Sequence, residues 1–180
     1  MSADLKKYRN KRDFKKTPEP QGVKKEKTSK GLVFVIQKHR ASHLHFDLRL
    51  ERDGVLKSWA VPKTPPSEAG IKRLAVATED HPLGYEDFEG TIPEGNYGAG
   101  TVEIWDRGSY IPVEWKENII VFDVKAQKLE GAFCLVKLKP KESGDKNWLF
   151  FKKKTETTKD TKKHRGKDKN PVNHEGHEEH

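Results

Sequence analysis

The stretch HLHFDLRLE, residues 43–51, alternates two kinds of side chain, and this alternation predicts a β-strand. Successive side chains of a strand point to opposite faces. One face would carry Leu44, Phe46, Leu48 and Leu50. The other would carry His43, His45, Asp47, Arg49 and Glu51. The apolar face predicts packing. Solvent-facing strands favour lysine, threonine and glutamate, so we expect the polar row to line an enclosed, wet cavity inside a small barrel.

Seven further stretches have the β-branched and aromatic composition of short strands. They are GLVFVIQ (31–37), VLKSWAVP (55–62), RLAVAT (73–78), TVEIWD (101–106), IIVFDV (119–124), AFCLVKL (132–138) and NWLFFK (147–152). Asp53-Gly54 lies between two of the strands and is a strong signal for a two-residue hairpin turn. We therefore predict an all-β fold, a compact barrel of about eight strands with a polar cavity.

One connection is long. Residues 79–100 (EDHPLGYEDFEGTIPEGNYGAG) contain five glycines and two prolines. A loop of this length in a compact domain is usually functional or disordered, and its three aromatic residues favour order. We predict an ordered lid or rim that carries His81.

Charge divides the chain into three parts. Residues 1–30 hold 11 Lys/Arg against 4 Asp/Glu, and residues 151–180 hold 9 against 6, whereas the middle is slightly acidic. We predict a basic arm over 1–30 that is not helical, a barrel domain over 31–153 and a disordered tail over 154–180. Basic ends indicate a polyanionic partner, with solubilising tails as the alternative.

The single cysteine, Cys134, rules out an intrachain disulfide and a cysteine-based zinc site. Residues 1–16 lack the apolar stretch of a signal peptide, and no run approaches the ~18 apolar residues of a membrane helix. We expect a protein of the cytoplasm without membrane contact.

The polar row suggests metal chemistry. His45 and Asp47 would lie side by side, and a turn at residues 40–42 could fold His39 back beside them. Two histidines and a carboxylate suit a catalytic divalent metal, with carboxylate-held structural histidines as the alternative. Arg49, next on the same face, could bind phosphate oxygens or pair with Asp47 or Glu51.

Three longer stretches carry a resemblance to a known family. QKHRASHLHFDLRLE, LKSWAVPKTP and LAVATEDHPLGYEDFEGTIPEGNYGAGTVEIWDRG closely resemble the 3′-phosphoesterase domain of bacterial DNA ligase D, and YRNKRDFKKTPEP resembles its leading arm. The resemblance runs from about residue 8 to about residue 153. The polymerase and ligase modules of that enzyme do not fit within 180 residues, so we expect a free-standing member.

The resemblance implies a β-barrel phosphoesterase that favours manganese and acts at DNA or primer 3′ ends. A diesterase step would remove a terminal ribonucleoside, and a monoesterase step would then remove the 3′-phosphate. The implied metal ligands are His39, His45 and Asp47. The implied catalytic residues are Arg49, His81 and Tyr85. The implied supporting residues are Lys63, Arg73 and Glu79 and, in the arm, Arg12, Asp13 and Glu19.

The expected partners are nucleic acid and a separate end-joining ligase or polymerase. We expect a monomer associated with the nucleoid. Two other classes stay open on the residues alone. A histidine–carboxylate site in a barrel also fits a cupin-like non-haem-iron oxygenase. A basic chain also fits a nucleic-acid-binding module without catalysis.

Overall fold

The computed structural model describes residues 5–22 and 31–155 of the chain. The predicted disordered tail lies almost entirely outside these residues, as do the remaining parts of the predicted arm.

Nine strands make up nearly all of the regular structure within the described residues. Their bounds are β1 Leu32–Arg40, β2 Leu44–Arg52, β3 Val55–Val61, β4 Lys72–Pro82, β5 Gly90–Ile92, β6 Gly100–Trp115, β7 Ile119–Ala126, β8 Glu130–Lys137 and β9 Asn147–Lys152. One short helix, α1 Lys6–Asn10, and one 3₁₀ turn, Tyr85–Asp87, complete the described elements.

Eight of these strands close into an antiparallel barrel. They pair in the order β1-β2-β3-β4-β9-β8-β7-β6, and β6 pairs back onto β1, while the short β5 adds to β6. The Asp53-Gly54 hairpin joins β2 and β3 with positive φ at both residues, as a type I′ turn requires. The predicted all-β barrel of about eight strands is confirmed.

The barrel interior is apolar. Alternate residues from all eight strands meet in one buried cluster that includes Phe46, Leu48, Phe122 and Phe133. Large side chains fill the interior of an eight-stranded barrel, which leaves no room there for a wet cavity. The polar row of β2 therefore lies on the outer wall, and the prediction that it points into the barrel is wrong.

Two segments cover this outer wall. A second apolar cluster joins Tyr8 of α1 and Tyr85, Phe88 and Ile92 of the segment after β4 to two barrel residues, Leu56 of β3 and Val102 of β6. The prediction that the arm has no helix is wrong for residues 6–10. This short helix has no apolar periodicity to reveal it. Burial of the single Tyr8 ring against the barrel stabilises it instead.

The segment 79–100 is ordered, as predicted, but much of it has regular structure. β4 continues through Pro82, so His81 is a strand residue, and β5 then pairs with β6. No helix within residues 5–22 or 31–155 has the length and apolarity that a membrane span requires.

Candidate active site

Strand register brings three possible metal ligands together on the outer wall. β1 and β2 form a hairpin in which His39 lies opposite His45, and Asp47 is two residues further along β2. His39 Nδ1 is 3.5 Å from one oxygen of Asp47, and His45 Nε2 is 3.4 Å from the other. The three ligand atoms all lie within 4.8 Å of one another. The chain reverses at residues 41–43, one residue later than the predicted turn at 40–42, and this reversal brings His39 beside His45 and Asp47.

Backbone carbonyls orient both imidazole rings. His39 Nε2 lies 2.7 Å from the carbonyl oxygen of Gly98, and His45 Nδ1 lies 3.0 Å from that of His43. A carbonyl only accepts hydrogen bonds, so each of these nitrogens carries a proton. The other nitrogen of each ring faces Asp47. Metal-binding histidines commonly have this arrangement, in which a carbonyl holds one ring nitrogen while the other binds the ion.

Electrostatics keep Asp47 ionised. Burial raises the pKa of this carboxyl, but hydrogen bonds from His39 and His45 and the charge of Arg49 outweigh it and hold the pKa well below its usual range. Burial lowers the pKa of His45, and its hydrogen bond to Asp47 outweighs this and raises the pKa overall. Two imidazole nitrogens and a carboxylate thus converge on one point, where a divalent cation would take the place of the bridging protons.

Arg49 is held by a cradle of buried polar groups. Its Nε donates to the side-chain oxygen of Gln37 at 2.6 Å, and its Nη1 donates to Ser58 Oγ at 2.9 Å. Gln37 also donates to the backbone carbonyls of Tyr85 and Phe88 at 2.7 and 3.0 Å. Arg49 Nη2 lies 3.6 Å from Asp47. The hydrogen bonds from Nε and Nη1 therefore fix the guanidinium, and its Nη2 lies beside Asp47 of the metal-ligand triad.

His81 and Tyr85 form the next part of the wall. His81 donates from Nδ1 to the backbone carbonyl of Glu79 at 2.9 Å, which leaves Nε2 as the unprotonated nitrogen. Burial lowers the pKa of His81 well below its ordinary value, and the charges of Arg49 and Arg12 lower it further. The Tyr85 ring packs against His81 and over the Arg49 guanidinium, with distances of 4.7 and 4.6 Å respectively.

The N-terminal segment contributes a charged wall. The buried carboxylate of Glu19 accepts hydrogen bonds from Arg12 Nε at 2.9 Å, from the Tyr85 hydroxyl at 2.7 Å and from Thr17 Oγ1 at 3.0 Å. Burial raises the pKa of the Tyr85 hydroxyl well above its usual value, so this group stays a donor. Arg12 also packs over the Tyr8 ring, 3.9 Å from its centroid. These contacts join residues 5–22 to the barrel at the site.

These groups surround one cavity of about 270 Å³. Glu79 and Tyr97 lie at its rim with Lys11, whose Nζ is 3.1 Å from the Glu79 carboxylate and 3.4 Å from the Tyr97 hydroxyl. The cavity thus combines a metal-ligand triad, two guanidinium groups and a neutral imidazole. Such a set suits the binding of a cation together with a phosphate.

Sequence comparison assigns the family. The family model described as the DNA ligase D 3′-phosphoesterase domain matches residues 37–137, more than half of the chain. The chain belongs to this 3′-phosphoesterase family. It is also 48% identical, over 85% of its length, to the multifunctional non-homologous end joining protein LigD of Pseudomonas aeruginosa. The proteins of the same name from Mycobacterium bovis and Mycolicibacterium smegmatis are 44% and 46% identical over 84% and 82% of the chain.

This phosphoesterase-family chain spans only about a fifth of those relatives, since it covers 19–20% of their lengths. The match therefore concerns one domain of each relative. The matched range 37–137 includes the metal-ligand triad, Arg49, His81 and Tyr85, whereas the charged wall of residues 5–22 lies before it.

Nine of the twelve predicted site residues of the phosphoesterase line the cavity. They are Arg12, Glu19, His39, His45, Asp47, Arg49, Glu79, His81 and Tyr85. The other three lie elsewhere. Asp13 is exposed and accepts a hydrogen bond from the backbone of Lys15. Lys63 is exposed after β3, and Arg73 donates to the carbonyl of Thr64.

The sequence did not reveal Gln37, Ser58 and Tyr8, whose contacts hold the residues around the cavity in place. Gln37 carried a usable signal, because a lone amide in the apolar stretch GLVFVIQ is a polar group that burial would force to find partners. Ser58 and Tyr8 carried none, because their partners lie on other elements. The backbone carbonyl of Glu79 orients His81, while the neighbouring Asp80 pairs with Lys57.

Proposed function

We propose that the protein is a metal-dependent phosphoesterase that repairs 3′ ends of nucleic acid strands. It would remove a 3′-terminal ribonucleoside as a phosphodiesterase and then remove the remaining 3′-phosphate, which leaves the 3′-hydroxyl that a ligase requires. Family membership supports phosphoester chemistry. The names of its relatives support a role in non-homologous end joining.

One observation carries this proposal. Three ligand atoms within 4.8 Å of one another lie beside the guanidinium of Arg49, whose Nε and Nη1 donate to Gln37 and Ser58. A purely structural ion pair would not need two imidazole nitrogens that converge on one carboxylate. A cation with a phosphate next to it would use every one of these groups.

His39, His45 and Asp47 would hold the metal, which we propose to be Mn²⁺, because neutral imidazole and carboxylate together suit divalent first-row ions. When bound, such an ion polarises a phosphate oxygen and favours deprotonation of water. The hydrogen bonds to Gly98 and His43 keep both donor nitrogens directed at the site before any ion arrives.

Arg49 would bind the phosphate oxygens and stabilise the charge that develops on them. Gln37 and Ser58 occupy its Nε and one Nη1 position, so the remaining N–H groups are available to the phosphate. Arg12, on the opposite wall, supplies a second positive charge that burial and its pairing with Glu19 hold in place.

His81 would handle a proton. It is neutral in the free protein and presents an Nε2 lone pair, so it can accept a proton from the attacking water or from a substrate hydroxyl. The protonated ring could then donate that proton to the leaving oxygen. Tyr85 supports both groups, because its ring contacts His81 and Arg49 and its hydroxyl is tied to Glu19.

A substrate 2′-hydroxyl would need an acceptor, and Glu19 and Asp13 are the candidates. Glu19 lines the cavity and accepts three hydrogen bonds, which leaves acceptor capacity on a carboxylate with about four lone-pair directions. Asp13 lies outside the cavity lining. We therefore favour Glu19. Lys63 and Arg73 stay predicted supporting residues, through contacts beyond the cavity.

The proposed partners are a DNA or primer-template end and a separate ligase or polymerase of end joining. The proposed state is a monomer at the nucleoid in the cytoplasm. The family match and the two guanidinium groups in the cavity favour phosphoester chemistry over the oxygenase alternative.

The test is cleavage of a 5′-labelled primer that ends in one ribonucleotide, with Mn²⁺ and with Mn²⁺ plus EDTA. We expect first a 3′-phosphate product and then a 3′-hydroxyl product, and neither in EDTA. His45→Ala should abolish both products. The matched control is His43→Ala, because this exposed neighbour contributes only its backbone carbonyl. Retained cleavage by His45→Ala, or oxygen uptake without phosphate release, would refute the proposal. Binding without cleavage by the wild-type protein would indicate the non-catalytic module.

A further inference from the structure

Tyr97 differs from the other three tyrosines of the chain. Tyr8, Tyr85 and Tyr110 are buried, and their hydroxyls donate to Pro20, Glu19 and Glu51. Tyr97 is 48% exposed and also lines the cavity of the candidate active site. Tyr97 is thus the tyrosine whose ring is open to solvent while it also lines the cavity.

The backbone around Tyr97 is fixed relative to the metal-ligand triad. The next residue, Gly98, accepts the hydrogen bond from His39 Nε2 at 2.7 Å. Gly98 has a positive φ of +77°, and a Cβ added there would be in ordinary van der Waals contact with the His39 ring, 3.5 Å from Cε1. Asn96 closes the same turn by donating to the carbonyl of Pro93 at 3.1 Å. The backbone that carries Tyr97 is therefore tied to His39 of the triad.

Two cationic side chains lie against the ring, and each is also paired with a glutamate. Lys11 Nζ lies 4.6 Å from its centroid and donates to its hydroxyl at 3.4 Å, and Arg12 Cζ lies 5.4 Å from the centroid. A flat aromatic surface beside cations is the combination with which proteins bind single-stranded nucleic acids. The ring stacks on a base, and the cations neutralise the backbone.

We propose that Tyr97 is a stacking platform for a nucleobase that flanks the phosphate bound in the cavity. This inference rests on the proposed function, because that function places a strand end in the cavity. The platform contacts the π-face of the base and not its hydrogen-bonding edge, so it accepts any base. It positions the strand so that the phosphate next to that base reaches Arg49 and the metal-ligand triad.

The test measures binding separately from cleavage. Wild type, Tyr97→Leu and Tyr97→Phe are titrated in EDTA against 5′-fluorescein primers with a 3′-ribonucleotide, and anisotropy gives Kd. One strand is complete, and two others lack the base at the terminal or the penultimate position. We expect Tyr97→Leu to raise Kd for the complete strand roughly 5- to 100-fold. Tyr97→Phe should stay within about twofold of wild type, because it keeps the ring.

The baseless strands decide the matter. The strand that lacks the base bound by Tyr97, whether terminal or penultimate, should bind wild type and Tyr97→Leu with equal Kd, because it has no base left to stack. Equal Kd values for wild type and Tyr97→Leu on the complete strand would overturn the platform. So would an undiminished loss on both baseless strands, or a Tyr97→Phe variant as weak as Tyr97→Leu. Cleavage by wild type with Mn²⁺ is scored separately, so its absence would refute the proposed function while the Kd values still decide the platform.

Discussion

Replacement of Glu19 by Gln is expected to detach the segment 5–22 from the barrel wall while the barrel itself stays folded. The Glu19 carboxylate is the common partner of Arg12, Thr17 and Tyr85, and it thereby joins the segment to the 3₁₀ turn after β4. None of these groups belongs to the apolar cluster that fills the barrel. Loss of the carboxylate charge should therefore weaken docking and leave the interior intact.

The contacts of Arg12 determine how much docking free energy the Glu19→Gln variant should lose. Its side chain is 4% exposed, that of Glu19 is 0% exposed, and their charged atoms are 2.9 Å apart. Removal of one member of a buried ion pair costs about 3–5 kcal/mol. Glu79 remains 3.7 Å from Arg12 Nη1 and softens the loss, and the glutamine oxygen still accepts a hydrogen bond. We therefore expect the docking of residues 5–22 on the barrel to lose about 2–3 kcal/mol of free energy, which corresponds to a roughly 30- to 150-fold shift of the docking equilibrium.

Hydrogen exchange measured by mass spectrometry tests this expectation. Peptides within residues 5–22 should exchange faster in Glu19→Gln by that factor, whereas peptides from β7 and β8 should exchange as in the wild type. Asp13→Asn is the matched control, because Asp13 is an exposed carboxylate of the same segment with only a local contact to Lys15. Unchanged exchange of residues 5–22, or equal acceleration throughout the barrel, would refute the role assigned to Glu19.

Three further predictions concern the site, the barrel and pH. Gln37→Met removes the hydrogen-bond acceptor that orients Arg49 and should lower kcat/KM roughly 10- to 150-fold. The Mn²⁺ affinity, measured by calorimetry, should stay unchanged. A loss of Mn²⁺ affinity as large as the loss of kcat/KM would contradict this role of Gln37. Gly108→Ala would force a Cβ against the backbone oxygen of Lys125 and should cost at least about 2 kcal/mol in urea unfolding, so unaltered stability would contradict the packing. Because the pKa of His81 is lowered in the folded state, the unfolded state takes up a proton below about pH 6.5 and the folded state does not. The free energy of unfolding should therefore decrease as the pH decreases below about 6.5, by at most about 1.4 kcal/mol per pH unit. His81→Asn should remove this component, and a pH profile of stability identical to that of the wild type would refute it.

Local pattern predicted most of the strands. All eight predicted strands are present, and six of them have both bounds within three residues of the prediction, because alternation and β-branched composition act over a few residues. β4 and β6 are longer than predicted. Gly108 and Pro112 interrupt β6 in the sequence, yet the strand continues through both. Pairing with β1 on one edge and β7 on the other supplies the hydrogen bonds that sustain it.

Only the tertiary structure shows that the polar row of β2 lies on the outer side of the barrel wall. Alternation separates Leu48 from Asp47 but does not say which face turns inward. The choice follows from the total apolar volume that eight strands contribute to one interior. The covering of the outer wall by residues 5–22 was likewise unreadable, since it depends on Tyr8, Arg12 and Glu19 meeting partners on distant elements.

The amino-acid sequence by itself determined the strand periodicity, the hairpin at Asp53-Gly54 and the grouping of His39, His45 and Asp47, since each of these depends on residues that are neighbours along the chain or across one tight turn. Only the tertiary structure decided that Gln37 holds Arg49, that Glu19 holds Tyr85 and that Tyr97 stands at the rim. Such contacts depend on barrel closure and on the packing of the covering segments, and a hydrogen bond between residues far apart in sequence leaves no local pattern to read.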